Sequence, residues 1–292
     1  MILVKNEFEE KGEFLDSIKL YKKYSDDSLE VNIVTLKAGT TIFISPPKSD
    51  QANEIFQIIK GKVYIPSSDK ILSHHDIIIL KSENQYMSIE AIENTTLMVT
   101  SIGFNSFDQT YKKMTKVSEI LESIQNKDSY TKEHCLRLVK LSKIMAKALK
   151  LSDIKTMHLL TAARYHDLGK ITICDEILNK PGKLNEDEYN EMKQHVMKTK
   201  ELIPDYVDDD ITRIASEHHE RLDGSGYPNG LVGDEISFEG QVLAVLDTFD
   251  AMTTDRVYKK GKTYNQAFDE LHKLGHKYNL DIVKLLESLL QK

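Results

Sequence analysis

Five of the ten histidines in this 292-residue sequence could act as metal ligands together with two aspartates. The candidate ligands are His134, His166, Asp167, His195, His218, His219 and Asp247. Imidazole and carboxylate groups together suit divalent iron, manganese or zinc. Adjacent helical residues point about 100° apart, so the pairs His166-Asp167 and His218-His219 could serve different ions, or one carboxylate could bridge two. The set is large enough for a binuclear metal centre, provided that the helices carrying it converge.

Three other histidines in the same half of the chain are expected to have structural roles only. They are His158, His272 and His276. A lone buried histidine is usually a hydrogen-bonded core residue, so these three are not counted among the candidate ligands.

Four motifs surround the candidate ligands. They are YHDLGKI at residues 165–171, DEILNKPGKL at 175–184, HHERLDGSGYP at 218–228 and DTFDAMTTDR at 247–256. The first resembles the His-Asp motif of metal-dependent HD phosphohydrolases, and the third resembles the extended motif that defines the HD-GYP family. Because all four occur in the family's order, the sequence is identified as a member of the HD-GYP family.

The resemblance implies a helical domain with a metal site built from all seven candidate residues, in which Asp167 is the bridging carboxylate. The ions implied are iron or manganese. Members of the family with a third ion carry a glutamate one helical turn before the first histidine, where this sequence has Tyr130. A tyrosine is a poor substitute for a carboxylate at a hard cation, so we expect two ions and not three.

The activity implied by the resemblance is hydrolysis of cyclic di-GMP, a bacterial second messenger, to linear pGpG, with GMP as a further product if hydrolysis continues. A metal-bridged hydroxide would attack the phosphorus in line, so no serine or cysteine nucleophile is needed. Two alternatives stay open. The chain could be an HD phosphohydrolase for another nucleotide, or a non-catalytic protein that binds a cyclic dinucleotide or a partner such as a diguanylate cyclase.

Basic residues near the motifs could contact the substrate. The family pattern places Lys170 at the scissile phosphate, as a catalytic group together with Asp167, and makes Arg256 and Lys259 the next candidates for phosphate or guanine. Arginine suits bidentate phosphate contacts, whereas lysine acts more as a point charge. The residues Gly226, Tyr227 and Pro228 predict a tightly specified turn that shapes the pocket wall or presents a partner surface.

The elements that must position these residues are predicted to fall into two domains. A chain of 292 residues is long enough for two domains, and the spacing of its apolar residues changes from every second residue to nearly every fourth from about residue 114. Residues 1–105 are predicted to form a β-barrel or sandwich, residues 106–127 a linker helix, and residues 128–292 an all-helical catalytic domain. Asn185 with Glu188, and Thr263 with Gln266, have the spacing of capping boxes at helix starts. The fold class expected is two-domain α+β.

The front domain shows a short resemblance to cupins. Residues 54–61 (EIFQIIKG) match one end of the first cupin motif, but the metal-binding histidines expected upstream are missing, and His74-His75 is expected to be solvated. Residues 54–59 and 63–65 are predicted to form two strands joined by a tight turn at Gly61. The domain could bind a small-molecule ligand or mediate homodimer formation.

Composition excludes several classes of protein. The net charge of −7 and the pI near 5.8 argue against a general DNA or RNA binder. No stretch approaches the roughly 18 apolar residues of a membrane span, and the N-terminus has no signal-peptide pattern. Cys135 and Cys174 are too few for a disulfide framework or a thiolate zinc cluster. We therefore expect a cytoplasmic protein without a membrane partner.

Overall fold

The computed structural model describes residues 10–14, 17–47, 50–84, 86–103, 119, 123, 127, 129–203, 207–255 and 260–291; residues 10–14, 129, 130 and 132 are described by their backbone alone. The chain forms two compact units, residues 1–119 and 120–292. The named strands lie in the first unit and, apart from a short 3-10 helix at Pro66–Ser68, the named helices lie in the second, so the predicted α+β fold class is confirmed. The predicted linker, 106–127, lies almost entirely outside the described residues.

The first unit contains two antiparallel sheets. Its described strands are β1 (Glu10–Phe14), β2 (Ile18–Ser25), β3 (Leu29–Leu36), β4 (Thr41–Ile44), β5 (Asn53–Lys60), β6 (Lys62–Ile65), β7 (Lys70–Ser73), β8 (Ile77–Lys81), β9 (Met87–Ala91) and β10 (Thr95–Ile102). One sheet has the order β1-β2-β3-β10-β5-β8, and the other has the order β4-β9-β6-β7. Both sheets contribute to a single hydrophobic core, with Phe56 and Leu97 from the first and Val63 and Ile89 from the second.

A row of polar residues lies on the inner face of the larger sheet. Ser101 on β10 is paired with Glu30 on β3 and with Glu54 on β5. Because Val99, two residues before Ser101, belongs to the core, the alternation of a strand places Ser101 on the same side. The Ser101 hydroxyl donates to Glu54 Oε1 at 3.3 Å, and Asn32 Nδ2 donates to Glu30 Oε1 at 2.9 Å. One end of this core is therefore polar.

The two strands predicted on either side of Gly61 both exist, but they do not pair with each other. β5 pairs with β10 and β8, whereas β6 pairs with β7 and β9 in the other sheet. Gly61 has φ +92°, and a Cβ there would lie 2.5 Å from Thr95 Oγ1 and 2.7 Å from the Asn94 carbonyl oxygen. The glycine therefore lets the chain pass from one sheet to the other against a neighbouring backbone.

The second unit is helical over its described residues. Its helices are α1 (Ser129–Ala148), α2 (Asp153–Tyr165), α3 (Asp175–Leu178), α4 (Glu186–Leu202), α5 (Asp209–Glu217), α6 (Phe238–Thr253), α7 (Tyr264–Lys273) and α8 (Leu280–Leu290). A short 3-10 helix, Leu168–Thr172, follows α2. Both predicted capping boxes are present, at Asn185 for α4 and Thr263 for α7. None of the described helices has the length and apolar run needed to cross a membrane.

Helix α6 is central to this unit. Val242, Leu243, Val245 and Leu246 are fully buried, and Phe249 stacks on Phe268 of α7 with ring centroids 4.8 Å apart. Five consecutive buried positions, 242–246, mean that this part of α6 is covered on all sides rather than along one stripe. A helix held this firmly is a rigid support for the polar side chains that it carries.

Candidate metal centre

The seven predicted ligands lie together, although they come from five helices. His134 is on α1, His166 and Asp167 end α2, His195 is on α4, His218 and His219 follow α5, and Asp247 is on α6. His134, His166, Asp167, His195 and His218 are each at most 3% exposed. The helices therefore converge as the sequence required, and they remove most of these polar groups from solvent.

The histidines form two groups. His134 and His166 lie with Asp167 in one group, and His195, His218 and His219 form the other; within each group one ligand atom per residue lies within 4.8 Å of the others. Asp247 joins the first group, because its Oδ1 is 3.1 Å from His134 Nε2. The arrangement has two adjacent centres with three or four candidate ligands each.

Asp167 lies between the two groups and presents one oxygen to each. Its Oδ2 is 3.3 Å from His166 Nε2, and its Oδ1 is 3.5 Å from His195 Nε2. A carboxylate with this orientation can bind two ions at once. The His-Asp motif of the sequence thus lies at the junction of the two groups.

The distances between candidate ligand atoms fit a shared ion rather than direct contact. His134 Nε2 and His166 Nε2 are 3.3 Å apart, and His195 Nε2 and His218 Nε2 are 3.5 Å apart. Two ligands about 2.1 Å from one ion are about 3.0 Å apart in octahedral geometry and about 3.4 Å apart in tetrahedral geometry. Paired imidazole nitrogens at these separations fit coordination by divalent metal ions.

Three histidines are oriented by a backbone carbonyl at the ring nitrogen that faces away from the centre. The Nδ1 atoms of His166, His195 and His218 lie 3.0, 2.7 and 2.6 Å from the carbonyl oxygens of Ala163, Met192 and Ala215. In each case the carbonyl is three residues earlier. Because a carbonyl only accepts, the proton belongs on Nδ1, and Nε2 is left with its lone pair toward the centre.

His134 is oriented by a carboxylate that the sequence analysis did not assign. Its Nδ1 is 2.7 Å from Asp250 Oδ2, and Arg137 Nε and Nη2 donate to the two oxygens of Asp250 at 2.7 and 2.9 Å. Asp247 and Asp250 are three residues apart on α6 and so share one face, which was the available signal. Asp250 and Arg137 therefore position a ligand without belonging to the centre itself.

The charges of the centre suit a cation. Burial lowers the pKa of His219 to about 3 and also lowers the pKa of His195 and His218, so these rings are neutral at pH 7. Against burial, hydrogen bonds to Asp247 and Asp250 raise the pKa of His134 to about 9. Burial alone would raise the pKa of Asp167, but the neighbouring His166 and Lys170 outweigh this effect and hold the pKa well below its usual range. The carboxylates are ionised and most of the imidazoles are free to coordinate.

Lys170 borders the centre. Its Nζ donates to Asp167 Oδ2 at 2.6 Å, and its side chain is 21% exposed. Burial lowers the pKa of this amine less than Asp167 raises it, so the pKa lies above its usual value and the group is charged. Arg256 and Lys259 lie outside the described residues, as does the side chain of Tyr130.

The motif loop forms a wall beside the second histidine group. The ring of Tyr227 stacks on His219, with centroids 4.7 Å apart, and the backbone N–H groups of Asn229 and Leu231 donate to the buried Glu220 carboxylate at 2.7 and 3.0 Å. A Cβ on Gly226 would lie 2.5 Å from Glu220 Cα. Glycine is therefore required at this close approach, and Glu220, which the sequence analysis did not single out, fixes the loop. Pro228 follows Tyr227 in the same loop.

Comparison with known proteins supports the motif-based prediction. The model of the HD domain family matches residues 112–282. The cyclic di-GMP phosphodiesterase of Thermotoga maritima is 38% identical over 269 residues, covering 90% of this chain and 69% of that protein. The cyclic di-GMP phosphodiesterase response regulator RpfG of Xanthomonas campestris is 40% identical over 159 residues, covering 53% of this chain. A 3'3'-cGAMP-specific phosphodiesterase of Vibrio cholerae is 35% identical over 145 residues, covering 49% of this chain.

The length that these relatives share with the chain varies. The chain spans 42% of RpfG and 32% of the Vibrio cholerae enzyme, against 69% of the Thermotoga maritima protein. Solved structures with cupin folds also match: KdgF from Halomonas (TM-score 0.31, 10% identity, 37% of this chain and 97% of that chain) and an RmlC-like cupin from Shewanella frigidimarina (TM-score 0.29, 11% identity, 34% and 86%).

Proposed function

Because the chain belongs to the HD domain family and carries the HD-GYP motif at residues 218–228, we propose that it is a metal-dependent phosphodiesterase that hydrolyses cyclic di-GMP to linear pGpG. The observation that carries the proposal is the position of Asp167 between two histidine groups. Two ions held side by side are suited to in-line displacement at a phosphodiester. The names of the Thermotoga maritima and Xanthomonas campestris relatives support the choice of substrate.

The proposed cofactors are two divalent ions, iron or manganese. One would be held by His134, His166, Asp167 Oδ2 and Asp247, and the other by Asp167 Oδ1, His195, His218 and His219. When bound, such ions lower the pKa of water and offset the charge on phosphoryl oxygens. Tyr130 stands where a third ion would need a carboxylate, and this supports pGpG as the product.

The chain's own residues would orient the substrate. The Lys170 amine is charged, partly exposed and adjacent to Asp167, so it can contact the non-bridging oxygens of the scissile phosphate. Arg256 and Lys259 are proposed to contact phosphate or guanine on the same substrate. The loop containing Gly226, Tyr227 and Pro228 is proposed to form the pocket wall, since Tyr227 already covers His219.

Several parts of the prediction rest on the sequence alone. We propose that the functional domains are residues 1–105, 106–127 and 128–292, that the protein acts in the cytoplasm, and that the front domain binds a small molecule or joins two copies of the chain. A diguanylate cyclase remains the proposed macromolecular partner.

The test is turnover by the purified protein under anaerobic conditions with Fe(II) or Mn(II). The substrates are cyclic di-GMP and 3',3'-cGAMP, and the assay resolves pGpG from GMP. We expect metal-dependent formation of pGpG from cyclic di-GMP. Rapid formation of GMP would contradict the two-ion interpretation of Tyr130. A preference for 3',3'-cGAMP would show that cyclic di-GMP is not the main substrate. Two bound ions without turnover of either substrate would favour the non-catalytic alternative.

Replacement of the bridging carboxylate tests the mechanism directly. We expect Asp167→Ala to lose both bound metal and at least 1,000-fold in turnover, a barrier increase of about 4 kcal/mol, because each histidine group loses an oxygen ligand. The matched control is Asp281→Ala, which removes a carboxylate whose side chain is 94% exposed on α8. Full turnover by Asp167→Ala would disprove the proposed centre.

A further inference from the structure

A second group of possible metal ligands lies outside the centre described above. His158 is in the middle of α2, Asp208 directly precedes α5, and Asp210 is in the first turn of α5. One ring nitrogen of His158 and one carboxylate oxygen of each aspartate lie within 4.8 Å of one another. His158 is eight residues before His166, which is about 12 Å along the axis of α2. This group is therefore separate from the metal centre that contains His166.

His158 is buried but lacks a hydrogen bond at one nitrogen. The residue is 5% exposed, and among the described residues its Nε2 has no hydrogen-bond partner. Asp208 Oδ2 lies 3.4 Å from this nitrogen, and Asp210 Oδ2 lies 3.7 Å from Nδ1. Burial removes water from this nitrogen, and among the described residues no hydrogen bond replaces the lost hydration, which costs free energy.

Each aspartate uses one carboxylate oxygen in a hydrogen bond and presents the other oxygen to His158. Asp208 Oδ1 accepts the Asp210 backbone N–H at 2.9 Å and caps α5, while Asp210 Oδ1 accepts from Arg213 at 2.6 Å. The bond that caps α5 therefore comes from Asp208. These bonds fix both carboxylates while leaving each Oδ2 toward the histidine.

We propose that His158, Asp208 and Asp210 bind one divalent metal ion of the zinc or manganese class, separate from the catalytic centre. The separation of 3.4 Å between His158 Nε2 and Asp208 Oδ2 is that of two ligands about 2.1 Å from a tetrahedral ion, and one imidazole with carboxylates suits this class of metal. The side chains of Asp208 and Asp210 are 39% and 49% exposed, so water can complete the coordination shell.

The electrostatic balance also favours a cation here. The N-terminus of α5 carries roughly half a positive charge, which opposes the ion, and Arg213 offsets part of Asp210. Asp208 and Asp210 together carry two full negative charges at the ion, and Asp209 in the same turn adds a third nearby. The carboxylates therefore outweigh the helix terminus.

The experiment is equilibrium dialysis of the metal-free 292-residue protein against Zn²⁺, followed by elemental analysis. Asp208→Asn removes a ligand charge but keeps an oxygen that can cap α5, since Asn and Asp are comparable capping residues. His158→Gln removes the imidazole independently, and Asp209→Asn is the control with the same charge change one residue away. We expect Asp208→Asn and His158→Gln each to bind one zinc ion fewer per chain than the wild type, and Asp209→Asn to bind the same number.

Equal zinc content in the wild type and in both ligand variants would overturn the proposal. A loss of every bound ion would also overturn it, because it would mean that the variants disturb the catalytic centre and not a separate site. Far-ultraviolet circular dichroism verifies that the variants are folded. As a second measurement, zinc should raise the thermal midpoint of the wild type by more than that of a folded Asp208→Asn protein, because a ligand that binds only the native state stabilises it.

Discussion

At the scale of single residues, His134 shows how strongly the proposed centre depends on groups that do not touch an ion. Its Nε2 faces His166 and Asp247, whereas its Nδ1 is held by Asp250, which Arg137 fixes in turn. Removal of Asp250 would take away the carboxylate that orients the His134 ring and that accepts two hydrogen bonds from Arg137. The consequence should be weaker metal binding with every proposed ligand still present.

We therefore expect Asp250→Ala to lower metal affinity about 10- to 100-fold, the range typical for loss of a group that orients a ligand. The measurement is competition with a chromophoric chelator, with metal content determined at several free-metal concentrations. Arg137→Gln should have a smaller effect in the same direction, since the Asp250 carboxylate remains to orient the ring. Unchanged affinity in Asp250→Ala would show that packing alone positions His134.

The ligands and their orienting partners differed in how far the sequence could predict them. His166 and Asp167 were recognisable because the residue types and the surrounding motif were local. The Nδ1 partners of His166, His195 and His218 are carbonyls three residues earlier, which any helical histidine can reach. Asp250 is 116 residues from His134, so its role depended on how α1 packs against α6, and the sequence could not supply that.

At the scale of elements, Thr199 connects the His-Asp turn to α4. Its hydroxyl accepts the Gly169 N–H at 2.8 Å and donates to the His166 carbonyl oxygen at 2.9 Å. A Cβ on Gly169 would overlap the His195 carbonyl oxygen, so the turn and the helix are in direct backbone contact. One hydroxyl thus satisfies two backbone groups at the point where a ligand of the first histidine group approaches the helix of the second.

Replacement of this hydroxyl should cost more than replacement of the methyl group beside it. Thr199→Val keeps the shape but leaves a buried N–H and a buried carbonyl unpaired, so we expect a loss of about 1–3 kcal/mol in the free energy of unfolding for each of these two groups. Thr199→Ser keeps the hydroxyl and loses one methyl group, for about 1 kcal/mol. Urea denaturation of the metal-free proteins measures both, and a Val variant as stable as the Ser variant would contradict this role.

Elements were predicted well where their determinants are local. Asn185 and Thr263 marked helix starts because a capping box is completed within three residues. Gly61 marked a real break between strands, but the choice of partners for β5 and β6 was set by β10, β8, β9 and β7, which are distant in sequence. A turn residue indicates where the chain bends. Which strands pair with each other depends on all the strands of the unit, including those distant in sequence.

At the scale of the whole molecule, the polar row inside the front unit links folding stability to pH. Burial of Glu54 raises its pKa to about 7; the Ser101 hydroxyl moderates the effect, and the nearby Glu30 carboxylate reinforces it. Between the unfolded pKa of 4.5 and the folded value, the native state binds a proton that the unfolded chain has released. The free energy of unfolding should therefore fall as pH rises across this interval, and should stop falling above it.

Glu54→Gln removes that proton from the balance and supplies a neutral group of similar shape. Because a shift from 4.5 to about 7 corresponds to about 3 kcal/mol, we expect the variant to be more stable than the wild type at pH 8 by up to this amount, and nearly equal at pH 5. Calorimetric unfolding of the 292-residue protein at both pH values measures the difference, with Glu83→Gln in an exposed loop as the control. A gain in stability of the same size at both pH values would mean that the variant improves packing and does not relieve a buried charge. Glu54 would then have no role in the pH dependence of stability.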